Sequence, residues 1–378
     1  MVKRFFYVLS LVAIVSSCSA PNEDKVGVNG PVINSEKQKF IVDTITTALK
    51  NPWGMAFLPD GRVLVTERAG EIRIIKDGKL LEEKISGVPA VRVMGQGGLL
   101  DIQLHPDYDQ NSWIYLSYAK PTGAEGGTVM ARAKLKGSVL TDLEELFQAL
   151  PLSSSEVHFG SRIAFDGKGY VFLTSGERGK KENAQDLGNH LGKVLRLYDD
   201  GKIPNDNPFV NTPGAMPEIW SYGHRNLQGL YYDRETQTLW NHEHGPQGGD
   251  ELNRVEKGKN YGWPVITYGI NYDGTSITDI TEKEGMEQPV RYWVPSIAPC
   301  GLTKVTSDRY PNWKDNFLVG ALAFQLVARV ELADGKFVKE ERLLEKMGRV
   351  RVVAQSPDGY IYVATENPGM IVKLVPTE

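Results

Sequence analysis

The chain has 378 residues, 41% of them hydrophobic, and a formal charge of −4. That mild acidity excludes a basic nucleic-acid-binding surface, and no nucleic-acid partner is expected. Two cysteines alone, Cys18 and Cys300, exclude a disulfide-built scaffold, so stability must come from packing.

The first residues read as an export signal over 1–17. Lys3 and Arg4 form a positive start and Phe5 to Val15 a short apolar run, too short to remain as a membrane-spanning helix. Val15-Ser16-Ser17-Cys18 resembles a bacterial lipobox, which makes Cys18 the expected lipid-bearing N-terminus of an exported, membrane-anchored lipoprotein facing the periplasm or cell surface. Loss of the two leader cations would take the charge to −6. The rest of 18–39 is polar and reads as a flexible tether, with the folded part over 40–378. A folded part of about 340 residues exceeds the usual single core, leaving two domains or one large repetitive architecture.

From Phe40 onward short alternating runs dominate, bounded by Asp-Gly or Gly turns. Gly61 to Glu67, Glu71 to Ile75, Trp113 to Tyr118, Gly169 to Thr174 and Gly359 to Ala364 are such runs. Asp142 to Ala149 is expected to be a short helix. A loose phrase recurs at Gly54–Gly61, Leu100–Asp107, Arg162–Gly167, Asn226–Asp233 and Val352–Gly359: an apolar run, then often Pro-Asp-Gly or Asp-Gly, then a β-rich run. A sixth, diverged copy is expected between Tyr261 and Leu332. Each copy needs neighbours to bury its faces, so the reading is an all-β, six-bladed β-propeller of about 57 residues per blade, against a sandwich or barrel of the same strands. In such a ring the chemistry gathers at one mouth of the channel, on loops leading into the innermost strands.

Several residues stand at such points. His158 lies just ahead of a repeat, and imidazole is suited to take a proton near neutral pH. Arg225-Asn226 occupies the corresponding place one repeat later, where a guanidinium could fork onto an oxygen anion. Arg349 and Arg351 sit two apart on one strand; two cations on one face need an anion between them, or else form a solvated edge. Gln96 lies in the Gly-rich loop Gly95-Gln96-Gly97-Gly98. His242 to Glu251 holds two imidazoles, three carboxylates and three glycines in ten residues, read either as a hard-cation anchor or as a Gly-rich turn. His105 and His242 read as structural, and His190 as a turn residue or not. Asp107 to Asn111 opens like a calcium loop, but Ser112 and Tyr118 stand where glycine and glutamate are needed.

Jointly, Asn51-Pro52-Trp53-Gly54, Gly95-Gln96-Gly97-Gly98-Leu99, His158-Phe159-Gly160-Ser161-Arg162, Gly223-His224-Arg225-Asn226, Glu243 to Glu251 and Lys259 to Pro264 resemble the soluble pyrroloquinoline quinone (PQQ)-dependent sugar dehydrogenases, in particular their aldose sugar dehydrogenase branch. The resemblance spans nearly all of 40–378 and implies a six-bladed propeller that oxidises the anomeric carbon of aldoses to lactones with PQQ and Ca²⁺, passing electrons to an external acceptor. It implies that His158 is the general base, that Glu177 orients it, and that Arg225 stabilises charge on the quinone oxygen to which the sugar's hydride passes. Gln96, Asn226, His244, Tyr272, Arg349 and Arg351 would contact cofactor or substrate. Gly245 and Pro246 would hold the cofactor calcium through their carbonyls, and Glu251 and Tyr261 a structural calcium. The chain departs from the pattern at Ala323, where some members carry a lysine for a cofactor carboxylate. It also lacks the long insertions of the dimeric branch, which points to a monomer. The alternatives are a calcium-dependent propeller lactonase and a non-catalytic carbohydrate-binding propeller.

Overall fold

The computed structural model describes residues 30–377 together with Met1; the export signal, Cys18 and the first part of the tether lie outside the described residues. The described chain is a ring of six antiparallel sheets, a six-bladed β-propeller. The innermost strands are Pro52–Phe57, Leu99–Leu104, Ile163–Phe165, Leu227–Asp233, Pro299–Lys304 and Val350–Gln355. Five of them coincide with the five recurring phrases of the sequence. The sixth, Pro299–Lys304, falls inside the stretch expected to hold the diverged copy.

Each blade is a four-stranded meander, because consecutive strands joined by tight turns pair most readily as antiparallel neighbours. The exception closes the ring. Lys39–Thr46, from the start of the fold, pairs with the last strand, Gly369–Thr377, and supplies the fourth strand of the final blade. Val32–Asn34 pairs in turn with Lys39–Thr46, so strand structure begins inside the segment expected to be tether. Strands drawn from both ends leave no open seam between first and last blades. Buried clusters run between blades, for example Leu64, Ile72, Leu99 and Leu116, all fully buried between the first two.

The expected helix over Asp142 to Ala149 is instead part of an edge strand, Val139–Gln148, paired with Glu125–Lys136. Two register shifts, between Thr141 and Glu144 and between Glu145 and Phe147, break its alternation and give the sequence a false helical look. Strand pairing outweighs the helix preference of Leu-Glu-Glu-Leu. No helix among the described residues is long and apolar enough to cross a membrane.

Candidate active site

Two sets of segments converge on one mouth of the channel: the loops entering the innermost strands, and the ends of the second strands. A cavity of about 280 Å³ opens there. Trp53, Leu100 and Phe159 give it apolar walls, and Gln96, Asn226, His244, Arg349 and Arg351 line it with polar groups. The opposite mouth is wider, about 760 Å³, and none of the expected site residues lines it.

His158 stands one residue before the wall residue Phe159, in left-handed backbone (φ 55°) that costs strain in a non-glycine residue. Its carbonyl presses on Gly176 so closely that a Cβ there would overlap it, which explains glycine in Ser175-Gly176-Glu177. The next residue, Glu177, is buried, and its Oε2 meets Nδ1 of His158 at 2.6 Å. A carboxylate accepts only, so Nδ1 carries the proton and Nε2 keeps its lone pair. Burial lowers the pKa of His158 below its ordinary value; Glu177 pulls it back up, and the Arg225 charge adds to the lowering. The outcome is a neutral imidazole at pH 7 with a carboxylate ready to stabilise its cationic form.

Other residues hold this pair in place. Gln96 Oε1 accepts from the backbone N–H of His158 at 2.9 Å. The Glu177 N–H donates to the Arg225 carbonyl at 2.9 Å. The Arg225 guanidinium donates to the carbonyls of Gly245 (2.8 Å) and His244 (3.2 Å). Asn226 Oδ1 accepts from Gly160 N–H and Gln228, leaving its amide nitrogen for the cavity. His244 has its Nε2 2.9 Å from the Pro299 carbonyl, and burial keeps it neutral.

Arg349 and Arg351 do have an anion between them, and it is part of the chain. Glu366, at the end of a second strand, meets Arg351 Nε at 2.7 Å and Arg349 Nε at 3.3 Å. The strand also bulges at Arg351, so the two arginines do not share a regular face. Arg351 spends its remaining donors on Gln228 and Cys300, whereas the Arg349 side chain is 43% exposed. Neither Glu366 nor this difference was legible in the spacing of the arginines.

Tyr272, expected to contact cofactor or substrate, is 76% exposed and stands outside the residues that line the cavity. It lies on the long excursion between Asp250–Val255 and Arg291–Trp293, which pairs back on Gln247 through Ile270.

The expected calcium residues meet in part. Gly245, Glu251 and Tyr261 line a separate space of about 10 Å³, the size of one ion or water; Pro246 does not line it. Glu251 is half-buried there, with one hydrogen bond, 3.0 Å from Asn253. Burial, with the neighbouring charge of Glu243, pushes its carboxyl up to about 8. Asn253 Oδ1 beside it has no partner. A half-buried acid whose carboxyl is pushed up this far, next to an unpaired amide oxygen, fits a hard oxygen-seeking cation. No group of three or more His, Cys, Asp or Glu gathers as a metal cage among the described residues, so backbone carbonyls must complete any such site. Planar anion binding also fits the main cavity, through its arginines and flat walls.

One arrangement bears on the lactonase alternative. Ser221 Oγ, His224 and Glu243 form a chain at 2.9 and 2.7 Å, resembling a nucleophile with its base and orienting acid. All three are buried, and His224 stacks on Tyr261, so substrate has no access to Ser221. The chain serves instead to hold Glu243, which also accepts from the Arg225 N–H at 2.6 Å.

Comparison with known proteins agrees with this geometry. Residues 49–373 match the family model described as glucose / sorbosone dehydrogenase. The chain is 44% identical over 344 residues to the aldose sugar dehydrogenase YliI of Escherichia coli (strain K12), covering 89% of this chain and 92% of that one. The crystal structure of the soluble aldose sugar dehydrogenase from Escherichia coli in its apo-form superposes with a TM-score of 0.87 at 42% identity, over 89% of this chain and 100% of that one. The PQQ-bound aldose sugar dehydrogenase of Streptomyces coelicolor superposes with a TM-score of 0.75 at 28% identity, over 93% and 99%. The match over nearly the whole propeller makes the conclusion direct: the chain belongs to the glucose / sorbosone dehydrogenase family.

Proposed function

We propose that the protein is a PQQ- and Ca²⁺-dependent dehydrogenase that oxidises the anomeric carbon of aldose sugars to lactones. The observation that carries this reading is the His158–Glu177 pair at 2.6 Å beside a cavity walled by arginines and aromatic rings. When bound, PQQ supplies the two-electron acceptor for the sugar's hydride, and Ca²⁺ supplies Lewis-acid charge. Gln96, Asn226, His244, Arg349 and Arg351 would hold the quinone, Gly245 and Pro246 its calcium, and Glu251 and Tyr261 the second calcium.

His158 Nε2 takes the proton of the anomeric hydroxyl, and the electron pair left on that oxygen makes the anomeric C–H bond a better hydride donor. Glu177 stabilises the imidazolium that results. Arg225, already held by the His244 and Gly245 carbonyls, would supply a fixed positive charge where negative charge grows, with little reorganisation. Trp53, Leu100 and Phe159 exclude water from the floor. The test is reconstitution. Purified protein stripped with chelator is given Ca²⁺ and PQQ, singly and together, then an aldose and a redox dye. Bleaching that requires both additions supports the reading. No bleaching under any addition, with sugar still bound, overturns it.

The reading extends to location. Export through residues 1–17 and lipid on Cys18 would put this chemistry outside the cytoplasm, as a monomer on a tether. A Cys18→Ser protein that still partitions with membranes would refute the anchor.

A further inference from the structure

A third guanidinium, Arg68, lines the cavity together with Arg349 and Arg351. It follows the second strand of the first blade, Val63–Glu67, at the same kind of position that delivers Glu366 from the last blade. Its side chain makes one hydrogen bond, from Nη1 to the Gly95 carbonyl. It forms no ion pair among the described residues, and its Nε and Nη2 find no acceptor there.

The surrounding structure is shaped to hold it. The Arg68 N–H donates to the Asn51 carbonyl, and the Arg68 carbonyl accepts from Leu99. Its stem crosses Gly98, at φ 145°, so closely that a Cβ on Gly98 would overlap both the Arg68 carbonyl and its Cγ. The glycine-rich loop Gly95-Gln96-Gly97-Gly98 therefore meets this arginine at both ends, through the Gly95 carbonyl and through the close approach of Gly98. That loop also carries Gln96, whose Oε1 holds the His158 backbone at 2.9 Å. Arg68 is thus tied to the same loop that holds the backbone of the proposed base. Of the three cations, Arg351 is consumed by Glu366, Gln228 and Cys300, and Arg349 is partly engaged. Arg68 is the cation with the most unspent hydrogen-bonding capacity.

We propose that Arg68 is a carboxylate-binding residue of this site, offering Nε and Nη2 as a two-pronged donor to an anionic ligand. The inference rests on the proposed function for the identity of that ligand: a carboxylate of the quinone cofactor, or the carboxylate of an acidic aldose such as a hexuronate. In the first case Arg68 makes good the cation missing at Ala323 from another side of the cavity. In the second it sets a preference for acidic sugars. A paired guanidinium–carboxylate contact is planar and charge-assisted, so its loss costs about tenfold or more in affinity.

The test uses Arg68→Met, which keeps the stem over Gly98 and removes the charge, with Arg68→Lys as partial rescue. PQQ binding to the calcium-loaded protein is titrated by fluorescence quenching, and KM is measured for glucose and glucuronate. Weaker PQQ binding by about tenfold in Arg68→Met, partly restored in Arg68→Lys, assigns the cofactor carboxylate. Unchanged PQQ binding with a KM raised about tenfold for glucuronate and not glucose assigns the sugar carboxylate. Both quantities unchanged, with thermal unfolding like wild type, overturns the proposal. Should Arg68→Met unfold, unchanged PQQ and glucuronate binding in Arg68→Gln overturns it equally. Wild-type protein that binds no PQQ refutes the dehydrogenase reading instead, a separate outcome from failure of Arg68.

Discussion

His158 and Glu177 share a hydrogen bond of 2.6 Å between a partly buried imidazole and a carboxylate only 2% exposed. Such a pair fixes the tautomer and the ring plane and stabilises the imidazolium once formed. His158→Ala is expected to lower kcat by roughly 10²–10⁴-fold while PQQ affinity changes little. Glu177→Gln should lower kcat by about 10²-fold, since its amide cannot offer the same charge to the imidazolium. Single-turnover kinetics with a parallel PQQ titration separates the two effects. Equal loss of binding and turnover in His158→Ala would remove it from the role of base.

The pH dependence follows from the same pair. Burial lowers the His158 pKa, Glu177 opposes that, and Arg225 adds to the lowering. Only the neutral imidazole can accept a proton. Activity should therefore rise with pH through a midpoint below 6.5 and stay level above it. In Glu177→Gln the upward pull is gone, so the midpoint of the residual activity should move to lower pH. A midpoint that moves upward, measured as kcat/KM against pH, contradicts the assignment.

Glu366 divides the labour of two arginines that look equivalent in the sequence. Arg351 lines the cavity but is braced within the fold by Glu366 and Gln228, whereas Arg349 keeps a more exposed side chain for ligand. Arg349→Ala is expected to weaken PQQ affinity about tenfold with little change in thermal stability. Arg351→Ala should lose stability as well, by about 3 kcal/mol, because it strands Glu366. Burial raises the Glu366 pKa, but Arg351 and Arg349 outweigh it, and the carboxyl sits below its ordinary range. Its stabilising share is present above the unfolded carboxyl value and is lost as pH falls through the lowered one. Glu366→Gln should therefore show a shallower fall of stability on the acid side, read from urea unfolding at several pH values.

Sequence legibility followed the physics of each element. Leu58-Pro59-Asp60-Gly61 and Ser356-Pro357-Asp358-Gly359 announce hairpins because the turn itself demands those residues. Pro299–Lys304 ends in no such turn, so the fifth inner strand was placed only broadly. The long excursion from 256 to 290 interrupts the fourth blade and hides its outer strand, Arg291–Trp293. His158, Glu177 and Arg225 were legible as members of motifs. Arg68 and Glu366 were not, since each lies at the end of a second strand and acquires its meaning from a partner far away in sequence. Glycines in a loop could have given a signal for Arg68, because close packing against them must come from somewhere.

Asp250 offers the sharpest test of how the glycine turn is held. Its Oδ1 accepts from the Gly245 N–H at 2.9 Å, and its Oδ2 accepts from the N–H groups of Ile297 (2.8 Å) and Ala298 (2.9 Å). Ser296 Oγ donates to both oxygens. One buried carboxylate thus ties the turn carrying Gly245 to the segment carrying Ala298, a wall of the cavity. Asp250→Ala leaves several buried donors unpaired and should cost about 3–5 kcal/mol. Asp250→Asn is more discriminating. An amide oxygen in the Oδ2 position keeps the bonds to 297 and 298, while its NH₂ group faces the Gly245 N–H as donor against donor. The expected outcome is a folded protein, modestly less stable, with weaker PQQ and Ca²⁺ binding because the Gly245 turn has lost its anchor. Thermal unfolding and metal and cofactor titrations on the same sample decide it: full binding in Asp250→Asn would mean that the turn keeps its shape without this carboxylate.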